Sequence, residues 1–175
     1  GTVMADWPQS KNFHNAVLST WSLYGTANGC TSAGQGSGNW PNANMVIYMP
    51  FRLSFPFTVA KMFTIIGTAF SGSIDLGLYS WDGTRLISSG IGTPTIINSI
   101  YSVDLTDFQL DPGHYFMAMS NGIVGAFQRL TTNIPRPQGM FRQTTGGHPL
   151  PSTATFEAMT NAYLPFVGIT SKTTI

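Results

Sequence analysis

Ile74-Asp-Leu-Gly-Leu-Tyr-Ser-Trp-Asp-Gly-Thr-Arg-Leu-Ile-Ser-Ser-Gly90 is the stretch whose reading decides the fold class. Ile74, Leu76 and Leu78 alternate with Asp75, Gly77 and Tyr79. That two-residue period belongs to a half-buried strand, whose successive side chains point to opposite faces. Trp81-Asp82-Gly83 then reverses the chain, because Asp-Gly readily takes the positive φ angles of a tight hairpin. Thr84 to Ser89 is the expected returning partner.

The same pattern extends in both directions. Upstream, Phe57 to Ile66 places Phe57, Val59, Phe63 and Ile65 on one face, with Lys61 the exception, and Thr58, Ala60, Met62, Thr64 and Ile66 on the other. Neither face is fully polar, so a central strand covered on both sides is expected. Downstream, Tyr101, Val103 and Leu105 alternate with Ser102, Asp104 and Thr106. Pro112 and Gly113 fit the central positions of a type II turn, and the strand after it, His114 to Ser120, carries Tyr115, Met117 and Met119 on one face. Met117 and Met119 read as core filling between aromatic neighbours. Asn121-Gly122 reads as a further hairpin signal leading into Ile123 to Gln128, and a closing strand is expected over Ala162 to Ile169.

Between these strands, residues 131 to 152 hold Pro135, Pro137, Pro149 and Pro151 around Gly146-Gly147, which favours a long extended loop. Residues 1–44 mix Trp7, Phe13, Trp21, Tyr24 and Trp40 with a Gly/Ser/Asn-rich stretch from Gly25, and read as an N-terminal arm plus a flexible loop. Helix signals are nearly absent, and Asn12 to Ser19 lacks both length and caps. The expectation is an all-β fold: a jelly roll or β-sandwich of antiparallel strands over residues 45–175, preceded by the arm.

Composition narrows the function. Eight Lys and Arg and seven Asp and Glu give a net charge of +1, and charged residues make up only 9% of the chain. Basic residues scattered from Lys11 to Lys172 supply no concentrated field for phosphate backbones or anionic lipid, so neither nucleic acid nor membrane insertion is expected. The densest apolar run, Met45 to Phe51, is far too short for a membrane span and contains Pro50. Gly1-Thr-Val shows no charged start followed by an apolar stretch, so no secretory leader is read there, and the missing initiator Met reads as trimming or a fragment boundary. With 42% hydrophobic residues and 13% aromatics, so little charge leaves a lone domain poorly protected against association, and a homo-oligomer or particle subunit is expected.

The residues that carry chemistry elsewhere are poorly placed for it here. The single Cys30 allows no intrachain disulfide and has no local basic neighbour. Asp6, Asp75, Asp82, Asp104, Asp107, Asp111 and Glu157 are the only carboxylates; Asp82 and Asp111 suit turns, and Asp75 and Asp104 suit outward strand positions. His14, His114 and His148 form no ligand-spaced pair, and no Asp-rich calcium loop occurs. Gly34-Gln-Gly-Ser-Gly38 lacks the Lys-Ser/Thr ending of a phosphate loop and reads as a connector. No Gly-x-Ser-x-Gly elbow is present. A non-enzyme without metal or cofactor is expected.

The run from Ile74 to Gly90, followed by Leu110-Asp-Pro-Gly-His-Tyr-Phe-Met-Ala-Met119, resembles the jelly-roll modules of bacteriophage virion proteins. Ala43-Asn-Met-Val-Ile-Tyr-Met-Pro-Phe-Arg52 and Asn161-Ala-Tyr-Leu-Pro-Phe166 extend the likeness to roughly residues 43 to 169. Such modules occur in tail fibres, adhesins and capsid-surface proteins and resemble carbohydrate-binding domains. The resemblance implies a homotrimeric virion-surface subunit contacting other virion proteins. The alternative is a carbohydrate-binding module for host-surface glycans, with Trp81 at the hairpin tip stacking on sugar while Asp82 and Arg85 bind hydroxyls. A core-capping or intersubunit tryptophan is the ordinary reading of the same residue.

Overall fold

A computed structural model describes residues 16–18, 35–130, 139–160 and 163–171. Among these described residues twelve strands follow in order: β1 (Ala16–Leu18), β2 (Gln35–Asn39), β3 (Met45–Leu53), β4 (Phe57–Ile66), β5 (Ile74–Ser80), β6 (Arg85–Ser88), β7 (Ser99–Leu110), β8 (Gly113–Asn121), β9 (Ala126–Leu130), β10 (Phe141–Gln143), β11 (Glu157–Ala158) and β12 (Val167–Thr170). They form two antiparallel six-stranded sheets, so the chain is an all-β sandwich. In one sheet β4 is central, with β7 along one edge and β12 and β9 along the other. The second sheet runs β11-β10-β3-β8-β5-β6.

Alternation explains the packing. Met45, Ile47, Met49, Phe51 and Leu53 of β3, Ile74, Leu76 and Leu78 of β5, and Met117 and Met119 of β8 face the other sheet and are buried. They meet Val59, Met62 and Ile66 of β4, Val167 and Ile169 of β12, and Trp40. Thr64 ties the layers polarly, donating its hydroxyl to the Phe166 carbonyl at 2.8 Å beside the Met119 sulfur at 3.7 Å.

Five local expectations are revised. In β4 the register shifts between Val59 and Lys61, and this bulge moves the inward set from Phe57 and Val59 to Met62 and Ile66. A bulge adds one residue and so reverses the pleat. Lys61, the exception to a strict alternation, therefore pairs with Asp104 of β7 at 2.5 Å. Asn121-Gly122 does not make a hairpin, since β8 and β9 lie in different sheets and the chain crosses between layers there. Gly113 is not among the positive-φ glycines; it opens β8 opposite Leu53, and the Tyr115 hydroxyl donates to the Asp111 carbonyl at 2.8 Å across the turn. Gln35–Asn39, within the stretch read as a flexible connector, pairs with β9, and Trp40 is a core residue at 1% exposure, donating its indole N–H to the Met45 carbonyl. Finally, Asp75 is buried at 1% exposure, because later chain covers that outward position. The Cys30, Asp6 and His14 readings, and the prolines at 135 and 137, lie outside the described residues.

Pro50 fits inside β3 because Tyr48 is the last residue of β3 that β10 reaches. Among the described residues no strand pairs with Pro50 on that side, and an unpaired side is where proline is tolerated.

Candidate functional site

The outer face of the β3-β8-β5 sheet is apolar, and most of it is roofed. Val46, Tyr48, Tyr79, Phe116 and Ala118 form a second core with Leu150, joined by Phe141, Ala154 and Phe156. The roof is the segment 147–156, of which residues 147–152 belong to the stretch read as a long extended loop, and its polar anchors are specific. The Asp75 carboxylate accepts from the Leu150 amide at 3.0 Å and from the Ser88 hydroxyl at 2.7 Å. The Tyr79 hydroxyl donates to the Pro151 carbonyl at 2.6 Å, and the Arg85 guanidinium donates to the Leu150 carbonyl. Burial raises the Tyr48 and Tyr79 phenols above their ordinary value, so both stay neutral hydrogen-bonding groups. Gly77 makes room for the roof: a Cβ there would lie 2.6 Å from a Leu150 methyl and 2.7 Å from the Ile87 carbonyl oxygen.

His148 clamps one end of this segment. Its Nε2 lies 2.9 Å from the Ser73 hydroxyl and its Nδ1 2.8 Å from the Ser120 hydroxyl. A serine against a histidine is the beginning of a nucleophilic site, but the second ring nitrogen meets a neutral hydroxyl. The nearby Asp75 carboxylate is engaged with Ser88 and Leu150. Partial burial holds the imidazole below its ordinary value, against the opposing pull of Asp75. The arrangement is a hydrogen-bonded clamp between Ser73, just before β5, Ser120 of β8 and the roof.

The roof stops at Phe156 and leaves the far end of the outer face open. There Trp81 lies flat on Phe116, with ring centroids 4.7 Å apart and planes 6° from parallel, and it remains 55% exposed. The hairpin holds the ring in place. Ser80 N–H donates to the Thr84 carbonyl at 2.9 Å, Gly83 sits at φ 89°, and Asp82 accepts from the Thr84 amide and the Ser80 hydroxyl. Those bonds, Ser80 foremost, keep the Asp82 carboxyl below its ordinary range. Of the three residues singled out in sequence, Trp81 is thus an open platform, Asp82 a turn acceptor and Arg85 an anchor for the roof.

Two other residues stand beside Trp81 in their place. Ser80 pairs with Tyr115, so Trp81 comes level with His114, whose ring is 5.4 Å away, and His114 pairs in turn with Arg52. Trp81, His114 and Arg52 are all exposed and form a row across β5, β8 and β3. The ion pairs among the described residues are Lys61–Asp104 and Arg142–Glu157, and neither involves Arg52. Sequence alone pointed to Arg85 because it is close in the chain; only the strand register makes Arg52 a neighbour.

The opposite end of the sandwich is aliphatic. Ile91, Ile96 and Ile97 on the β6–β7 connection and Ile123 and Val124 on the β8–β9 connection are 43–59% exposed. Paired hydrogen bonds between Gly92 and Ile74, and bonds from Asn98 N–H to Gly67 and Gly122 N–H to Ser73, gather these connections at one end. Among the described residues no group of three or more His, Cys, Asp or Glu is placed to hold a metal ion, and no helix is long and apolar enough to cross a membrane. No family model matches this chain, and no curated protein matches its sequence.

Proposed function

We propose that the chain is a non-enzymatic structural subunit of a bacteriophage particle surface, of tail-fibre, adhesin-head or capsid-decoration type, that associates with copies of itself and with other virion proteins. The observation that carries self-association is the aliphatic end, where five large side chains stand 43–59% exposed on two adjoining connections. Five exposed apolar side chains at one end of a chain with only 9% charged residues favour burial against another surface. The particle setting draws on the resemblance of residues 43 to 169 to virion jelly-roll modules. The non-catalytic reading draws support from the clamp at His148, whose ring nitrogens are both taken by serine hydroxyls.

The triple variant Ile96→Ser, Ile97→Ser, Ile123→Ser tests this directly. These side chains are exposed, so the sandwich keeps its fold. The parent is expected to sediment as an oligomer and the variant as a monomer; unchanged sedimentation would contradict the assignment of the interface to this end.

A further inference from the structure

We propose that the open row Trp81–His114–Arg52 is a binding site for an acidic oligosaccharide, one sugar ring lying on the indole and a carboxylate reaching the Arg52 guanidinium. Three features of the outer face carry this. First, the indole is already immobilised by Phe116 beneath it and by the hairpin bonds around it, while 55% of it stays in solvent. A preorganised aromatic surface captures a flat ligand face with little loss of side-chain freedom. Second, the surface is bordered by hydrogen-bonding groups, as a sugar requires. The His114 ring is 5.4 Å from the indole, and the Asp82 carboxylate lies at the turn toward β6.

Third, Arg52 makes no ion pair with a described residue, although it stands in the same row. Its planar guanidinium is suited to bidentate contact with a carboxylate. Two strand spacings, about 10 Å, separate the Trp81 and Arg52 positions, which suits linked rings better than one. Asp82 lies on the far side of Trp81 from Arg52 in the strand order β6-β5-β8-β3, so the acid group of the ligand belongs at the β3 end. The row is at the opposite end of β5 from the aliphatic connections, so this inference does not rest on self-association.

The test is a titration of the full chain with trigalacturonate and, in parallel, the neutral maltotriose, followed by tryptophan fluorescence and backbone amide shifts. Saturable binding of trigalacturonate is expected, stronger than that of maltotriose. It should weaken roughly tenfold or more in Trp81→Ala, and in Arg52→Gln the preference for the acidic sugar should vanish. Far-UV circular dichroism of both variants guards against misfolding, which is not expected for two exposed positions. Absence of saturable binding by either sugar, or binding untouched by Trp81→Ala, would overturn the site. Equal binding of both sugars with a silent Arg52→Gln would overturn the acidic class.

Discussion

Trp81 and Phe116 stack face to face with centroids 4.7 Å apart, one ring 55% exposed and the other 1%. The pair joins the hairpin tip to the second core, and its two halves differ in energetic weight. Phe116 also packs on Phe156 and Phe141, so Phe116→Ala empties a cavity and is expected to cost about 3 to 5 kcal/mol. Trp81→Ala loses one stacked face and is expected to cost about 1 kcal/mol. Urea denaturation of the two variants checks the order; equal losses would contradict it.

Asp75 is the polar anchor of the roof. Asp75→Ala leaves the buried Leu150 amide and the Ser88 hydroxyl without their acceptor, which is expected to cost about 2 kcal/mol. The loss should be local first: hydrogen exchange at Leu150 should accelerate ahead of that in β4, and uniform acceleration would show that segment 147–156 does not open separately.

Gly77 tests the closeness of the same layer. Its would-be Cβ meets a movable Leu150 methyl but also the fixed Ile87 carbonyl. Gly77→Ala is therefore expected to destabilise by about 1 to 3 kcal/mol despite the better strand propensity of alanine. A neutral or stabilising result in thermal unfolding would contradict the packing described.

His148 gives the fold a pH dependence whose sign is fixed. Its folded value is held below the ordinary 6.5, so the folded state favours the neutral ring. That contribution is complete above the ordinary value and is lost as the pH falls through it toward the lower folded value. The groups facing the ring are the Ser73 and Ser120 hydroxyls and the Asp75 carboxylate, which opposes the shift. Urea midpoints between pH 7.5 and 5 should fall less steeply in His148→Gln than in the parent; parallel curves would contradict the assignment.

The legible part of the fold was the part governed by period and turn chemistry. The β5–β6 hairpin, with Gly83 at φ 89°, and the inward face of β8 follow from local sequence. What local sequence did not reveal depends on distant chain. The β4 bulge is invisible because Val59-Ala-Lys61 has no breaker residue, and only the misplaced Lys61 hinted at it. The Asn121-Gly122 crossing has the same dipeptide as a hairpin, and the sheet to which the next strand belongs is a tertiary choice. The burial of Asp75 is decided by the Leu150 amide, 75 residues away. For the candidate site, Trp81 was legible as a hairpin-tip aromatic, whereas Arg52 and His114 become its neighbours only through register.

Self-association is read out by the molar mass of the parent chain in solution, measured by light scattering over a range of concentrations. A stable multiple of the 18.9 kDa chain mass is expected. A single chain mass at every concentration would contradict it.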